Sequence, residues 1–220
     1  MPVLRVTTFN VHHCRGLDGL VNPRRIAAVL VESQGRFFGV QELDRNLERS
    51  GRIDQPAVLG ELLGCEVHFS ATVERGGGQY GLGVAAPDPL EPTFHRLPRL
   101  GDEEPRGAIT VRWHGLSIIV THLSLQRAPR LAQLDALAGL TAELDPPVVL
   151  MGDLNTGWLG TRRLIKAGLR QSPGWRPTVE EGFPRQIDHV LTGRGAAAAG
   201  LRTLSGGASD HKALAAEIIL

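Results

Sequence analysis

Six short segments of this 220-residue chain set acids, amides and histidines directly beside runs of β-type residues. They are Phe9-Asn10-Val11-His12-His13, Val40-Gln41-Glu42-Leu43-Asp44, Thr121-His122-Leu123, Met151-Gly152-Asp153-Leu154-Asn155, Gln186-Ile187-Asp188-His189 and Ser209-Asp210-His211. Strand ends are places where a rigid scaffold can present side chains to a shared cleft. The residue types suit hydrolysis of a phosphoester. That reaction needs a hard cation to neutralise phosphate charge, and Mg²⁺ prefers carboxylate, amide and water oxygens. Glu42 and Asp210 are suitable ligands, and Asn10 can bind the ion or orient the carboxylates. An attacking water needs a base, and His211 has the intrinsic range for that work. A carboxylate behind the imidazole, Asp188, would fix its tautomer and support its charge. Asp153 and Asn155 are two apart on what reads as one extended stretch, so they point the same way. Asp153 can orient the water or share its proton. Asn155 and His122 can donate to phosphoryl oxygens as negative charge develops.

Each segment alone is also what an ordinary turn or solvated loop looks like; their joint occurrence is what points to chemistry. His12, His13, His68, His95 and His114 receive no role, and His189 reads as a solvent-facing neighbour of Asp188. Cys14 lies near Asn10 without a chemical task.

The elements that must position these groups can be read from pattern. Residues 3–9 alternate as a strand, and 37–41 form a short apolar strand. Between them, 23–33 carry helical spacing, with Asn22 placed as N-cap and Pro23 in the first turn. Residues 55–63 read as a helix that stops at Gly64. Strands are expected at 66–72, 80–86, 108–113 and 116–121, with a tight turn at His114-Gly115. The best amphipathic helix is 130–144, followed by a buried strand at 148–151 and a short helix at 161–167. Strands at 187–191, 200–204 and 213–219 close the chain. Strands outnumber helices throughout, and two packed sheets with helices outside satisfy the pattern.

The length suits one core, and a single domain over residues 1–220 is expected. A net charge of +1 argues against a protein that grips nucleic acid by charge alone, and is neutral towards an enzyme. Lys166 and Lys212 are the two lysines; the other basic residues are arginine, which reflects base composition or forks onto phosphate. Two cysteines make no disulfide framework, MPVLRVTTFN is not a signal sequence, and no apolar run spans a membrane. A cytoplasmic monomer is the expectation.

The set TFNVHH, VQELDR, THLSL, MGDLNT, QIDHVL and SDHKAL resembles the endonuclease/exonuclease/phosphatase superfamily, whose fold is that of deoxyribonuclease I. The match keeps the family's order from Asn10 to His211, with GDLN and SDH its most specific parts. GLDG, RSGRIDQ, GGQYGLGV and EPRGA look most like its compact bacterial metal-dependent hydrolases. The resemblance implies an α+β, four-layer α/β/β/α sandwich of two mixed sheets with helices outside. It implies Mg²⁺ or Mn²⁺ held by Glu42, with Asn10 and the Asp153, Asn155 and Asp210 side helping. It implies His211 as catalytic histidine paired with Asp188, and His122 beside the scissile phosphate. Arg106, in EPRGA, is a candidate phosphate or scaffold contact. Leu82 departs from the subgroup, which often carries Asn after the Tyr-Gly pair, and this puts one polar contact in doubt. The resulting expectation is a phosphodiesterase or nuclease, with nucleic acid among its candidate substrates. The alternatives are a phospholipase C-like (sphingomyelinase-type) enzyme, a phosphomonoesterase, or a non-catalytic binding protein. Low aromatic content counts against the lipid-acting reading, and the intact acids and His211 count against the last.

Overall fold

Strand β1 (Leu4–Asn10) leads into helix α1 (Pro23–Glu32), which starts where the Asn22 side chain accepts from the Arg24 amide. That bond satisfies one of the free amides of the first turn. The helix returns the chain to β2 (Phe37–Arg45), which lies parallel to β1 with Asn10 opposite Gln41. Helix α2 (Gln55–Leu63) ends on left-handed Gly64, and β3 (Val67–Arg75) and β4 (Gly78–Ala85) complete this part of the sheet.

The second half repeats the device. Strands β5 (Thr93–Arg96), β6 (Gly107–Trp113) and β7 (Leu116–His122) are antiparallel neighbours. His114 and Gly115, at φ 46° and 81°, make the tight turn between the last two. Helix α3 (Arg127–Glu143) then crosses to β8 (Val148–Asp153), parallel to β7 with His122 opposite Asp153. A 3₁₀ turn (Trp158–Thr161), helix α4 (Arg162–Lys166), β9 (Leu169–Gln171), β10 (Asp188–Gly193), β11 (Ala197–Leu204) and β12 (Ala213–Ile219) finish the chain.

The computed structural model describes residues 4–204 and 206–220. Its two six-stranded mixed sheets have the orders β11-β12-β1-β2-β4-β3 and β5-β6-β7-β8-β10-β9. Val6, Leu82, Ile118, Val120, Met151 and Leu214 are among the buried residues that fill the space between them. Ile26, Leu30 and Leu59 bind α1 and α2 to the outer face of the first sheet. Leu134, Leu137 and Leu164 bind α3 and α4 to the outer face of the second. The expected four layers are present. Among the described residues, no helix is long and apolar enough to cross a membrane.

Several local expectations need correction. The start expected at Val3 lies outside the described residues. Strand β2 runs on through Glu42 to Arg45, because a bulge between Gln41 and Leu43 absorbs one residue without ending the pairing. The short helix expected at 161–167 is present as α4 (Arg162–Lys166), and the 3₁₀ turn that leads into it (Trp158–Thr161) was not expected. Strands β5 and β9 were not expected. They are short edge strands, and pairing with β6 and β10 defines them better than any alternation of their own.

Candidate active site

Parallel pairing brings the ends of β1 and β2 together in one sheet, and the ends of β7 and β8 together in the other. Strands β12 and β10 run antiparallel to β1 and β8, so their starts lie at the same end. Asp188 thus opens β10 directly opposite Asp153, and Ser209-Asp210-His211 stands just before β12. All six polar segments converge on one end of the sandwich.

The backbone there is shaped for presentation. Glu42 is the extra residue of the β2 bulge and holds φ 63°, which turns its side chain out of the regular alternation. Gly152, at φ 145°, lies so close to β7 that a Cβ would sit 2.0 Å from the Thr121 carbonyl oxygen. Only glycine allows β8 to deliver Asp153 at that point. Asn155 corrects the sequence reading. The strand stops at Asp153, and Asn155 has φ 48° in a turn closed by its amide donating to Asp153 Oδ1 at 2.8 Å. Its side-chain Nδ2 donates to the Leu123 carbonyl at 2.9 Å. The two residues do not share an extended stretch; a side chain-to-backbone turn holds them together.

The side chains form a connected network. Asn10 Nδ2 lies 2.8 Å from Glu42 Oε1 and 3.0 Å from Asp153 Oδ2, so one amide bridges carboxylates from both sheets. His211 Nδ1 meets Asp188 Oδ2 at 2.8 Å, and its Nε2 lies 3.8 Å from Asp153 Oδ2. His122 Nε2 lies 3.5 Å from Asp153 Oδ2 and 3.9 Å from Glu42 Oε1. Ligand atoms of Asp153, Asp188 and His211 all fall within 4.8 Å of one another. Ser209 Oγ, 2.8 Å from the Asn10 carbonyl and 3.2 Å from Asp210 Oδ1, ties Asp210 to the same place.

Residues 7–211 match the model of the Endonuclease/Exonuclease/phosphatase family. The chain belongs to that family. Solved structures agree on the fold. An endonuclease/exonuclease/phosphatase from Beutenbergia cavernae superposes with TM-score 0.82 at 24% identity, covering all of this chain and 72% of its own. The mannosyl-6-phosphatase of Bacteroides thetaiotaomicron gives TM-score 0.76 at 15% identity over 99% of this chain and 100% of its own. An AP endonuclease from Archaeoglobus fulgidus gives 0.73 at 18%, over 97% and 98%. The search of curated proteins finds no match.

In this family member the two site histidines stand in opposite surroundings. Burial works against a charged His211, but Asp188 outweighs it through charge and hydrogen bond. Asp153 and Asp210 add to the effect, raising the imidazole to about 10. His122 is pushed well below its usual value by burial, then by the Arg106 and His211 charges. Arg106 NH1 approaches His122 Nδ1 at 3.1 Å. A guanidinium can only donate, so Nδ1 accepts and the proton of neutral His122 sits on Nε2, facing the carboxylates. Burial also pushes Glu42 upward, and so does the nearby Asp210 charge. Asp153 rises for the same first reason, with Asp188 as the adjacent like charge.

Some neighbours escaped the sequence reading. His12 Nδ1 lies 3.5 Å from Asp210 Oδ1. Glu104 Oε1 lies 3.1 Å from Arg106 NH1 and anchors it beside His122. The acidic residue two before Arg106 was the available signal. His189 is buried rather than solvent-facing, with Nε2 2.8 Å from the Thr156 carbonyl. Leu82 is core, and it lines a small recess with Tyr80, Arg106 and His122. Cys14 is buried and its thiol is pushed far up, which leaves no nucleophile there.

Proposed function

We propose that this chain is a Mg²⁺- or Mn²⁺-dependent phosphodiesterase of the nuclease kind. The observation that carries the reading is the pairing of Asp188–His211 with Asp153 across a site where Asn10 bridges two carboxylates. The donor set fits a hard divalent cation. Glu42, Asp210 and Asn10 offer oxygens, and the Asp210 charge adds to the upward push on Glu42, a repulsion that a cation would relieve. The bound ion would neutralise phosphate charge and polarise a non-bridging oxygen.

The remaining work falls to side chains. The Nε2–H of His122 donates to a phosphoryl oxygen. The Asp188 carboxylate, 2.8 Å from His211 Nδ1, fixes that ring and favours its charged form, so His211 also faces the phosphate. His211, the base suggested by sequence, shares the proton-handling position with Asp153, whose Oδ2 lies 3.8 Å from His211 Nε2 and whose burial raises its proton affinity. The Asn155 turn, whose backbone N–H donates to Asp153 Oδ1, holds that carboxylate in place. Arg106 positions His122.

Hydrolysis of bis-p-nitrophenyl phosphate tests the reading. Turnover with Mg²⁺ or Mn²⁺, its loss in EDTA, and a drop of about 10³-fold in His211→Ala are expected. Metal-independent turnover, or full activity in that variant, contradicts it. p-Nitrophenyl phosphate in parallel separates diesterase from monoesterase.

A further inference from the structure

Beside the catalytic residues lies a separate cavity of about 490 Å³, within the range of sites that hold a small ring system. Trp158 and Trp175 line it, and they are 64% and 57% exposed. Two of the chain's three tryptophans thus stand open to solvent around one hollow, where an indole without a partner is costly. Both belong to loops that carry the site. Trp158 follows Asn155 after β8, and Trp175 lies in the loop between β9 and Asp188.

The polar groups of the cavity are few. Gln186 Oε1 is occupied by the Arg176 amide, at 2.9 Å, and among the described residues its Nε2 has no partner. Gln171 is the reverse: its Nε2 is bound to the Trp158 carbonyl and Thr161 Oγ1, and its Oε1 has no described partner. His189 Nε2 faces a carbonyl that can only accept, so its Nδ1 is the acceptor nitrogen of that ring. Ser172 Oγ donates to the Val190 carbonyl and can still accept. One free side-chain donor and three side-chain acceptor atoms therefore accompany two indoles and the apolar Leu191 among the lining residues. A sugar carries hydroxyls around its whole edge and needs more partners than these. A flat heteroaromatic ring, apolar on its faces and polar along one edge, matches the inventory.

We propose that this cavity receives an unpaired nucleobase of the substrate strand, stacked on Trp158 or Trp175. A base within a duplex gives its faces to its neighbours and cannot offer them to indole, so single strands are the preferred form. The substrate strand rests on the phosphodiesterase reading above, while the base site itself is a binding property that can be measured without turnover.

The test is tryptophan emission in EDTA, titrated with single-stranded hexathymidylate, with the same strand in duplex, and with mannose 6-phosphate. Trp113 is 3% exposed and its Nε1 donates to Asp88 Oδ2, so its emission reports an intact fold in each variant. Single strands should quench the wild type and bind more tightly than duplex. Trp158→Ala or Trp175→Ala should weaken binding roughly tenfold, the scale of one lost base stack, and Trp→Phe should restore most of it. Wild-type affinity in both alanine variants overturns the proposal, as does competition by mannose 6-phosphate that matches thymidine monophosphate. Turnover of bis-p-nitrophenyl phosphate without oligonucleotide binding sinks the base site alone. Oligonucleotide binding without any turnover sinks the catalytic reading and leaves the site standing.

Discussion

In the first sheet, β1 and β2 run parallel around α1 and bring Asn10 and Glu42 to the site; in the second, β7 and β8 run parallel around α3 and bring His122 and Asp153. The architecture is the same and the chemistry differs. Glu42 leaves its sheet through a bulge and is only half-buried. Asp153 stays at a strand end, nearly inaccessible, with Asp188 directly across the ladder. On the proposed reading, the first sheet offers the oxygens that would take the ion. The second holds a buried charge that raises proton affinity. The halves are sewn together by Asn10 reaching to Asp153, and by His211, which precedes a strand of the first sheet, reaching to Asp188 of the second.

The sharpest way to break the contrast is Asp188→Asn. It strips His211 of its buried counter-charge and should cost about 3 kcal/mol at pH 7, read by denaturation in EDTA. The sign with pH follows from the raised His211 value. The folded protein binds a proton that the unfolded chain releases between about 6.5 and about 10, so this stability is complete below that window and lost as pH rises through it. The variant should flatten that loss, and the His211 imidazole signals should titrate at lower pH. An unchanged titration would mean that Asp188 does not govern His211. A smaller effect is expected from Gly152→Ala. The added methyl meets the Thr121 carbonyl, and a loss of about 2 kcal/mol in thermal or chemical denaturation is expected, with β7 and β8 forced apart. A neutral result would mean that the close approach of these strands is not needed.

Much of this was legible in the chain. Asn22 before Pro23, Gly64 after an apolar run and His114-Gly115 between alternating runs are local signals, and each marks a real boundary. The six polar segments were legible because each follows or precedes a strand. What was hidden depends on partners distant in sequence. Glu42 sits on a bulge that only β4 reveals. Asn155 turns because it bonds Asp153 and Leu123, not because of its spacing. His189 is buried by the turn that brings the Thr156 carbonyl to it, and the tautomer of His122 is set by Arg106, which lies just before β6. Strand β9, three residues long, exists through β10.

The division of labour between the sheets is tested most directly by Mn²⁺ binding, measured calorimetrically in wild type, Glu42→Gln and Asp188→Asn. The cation is assigned to the Glu42 side, so Glu42→Gln should lose binding while Asp188→Asn keeps an affinity near that of the wild type. Wild-type affinity in Glu42→Gln together with lost binding in Asp188→Asn would contradict the account, and would place the ion among Asp153, Asp188 and His211 instead.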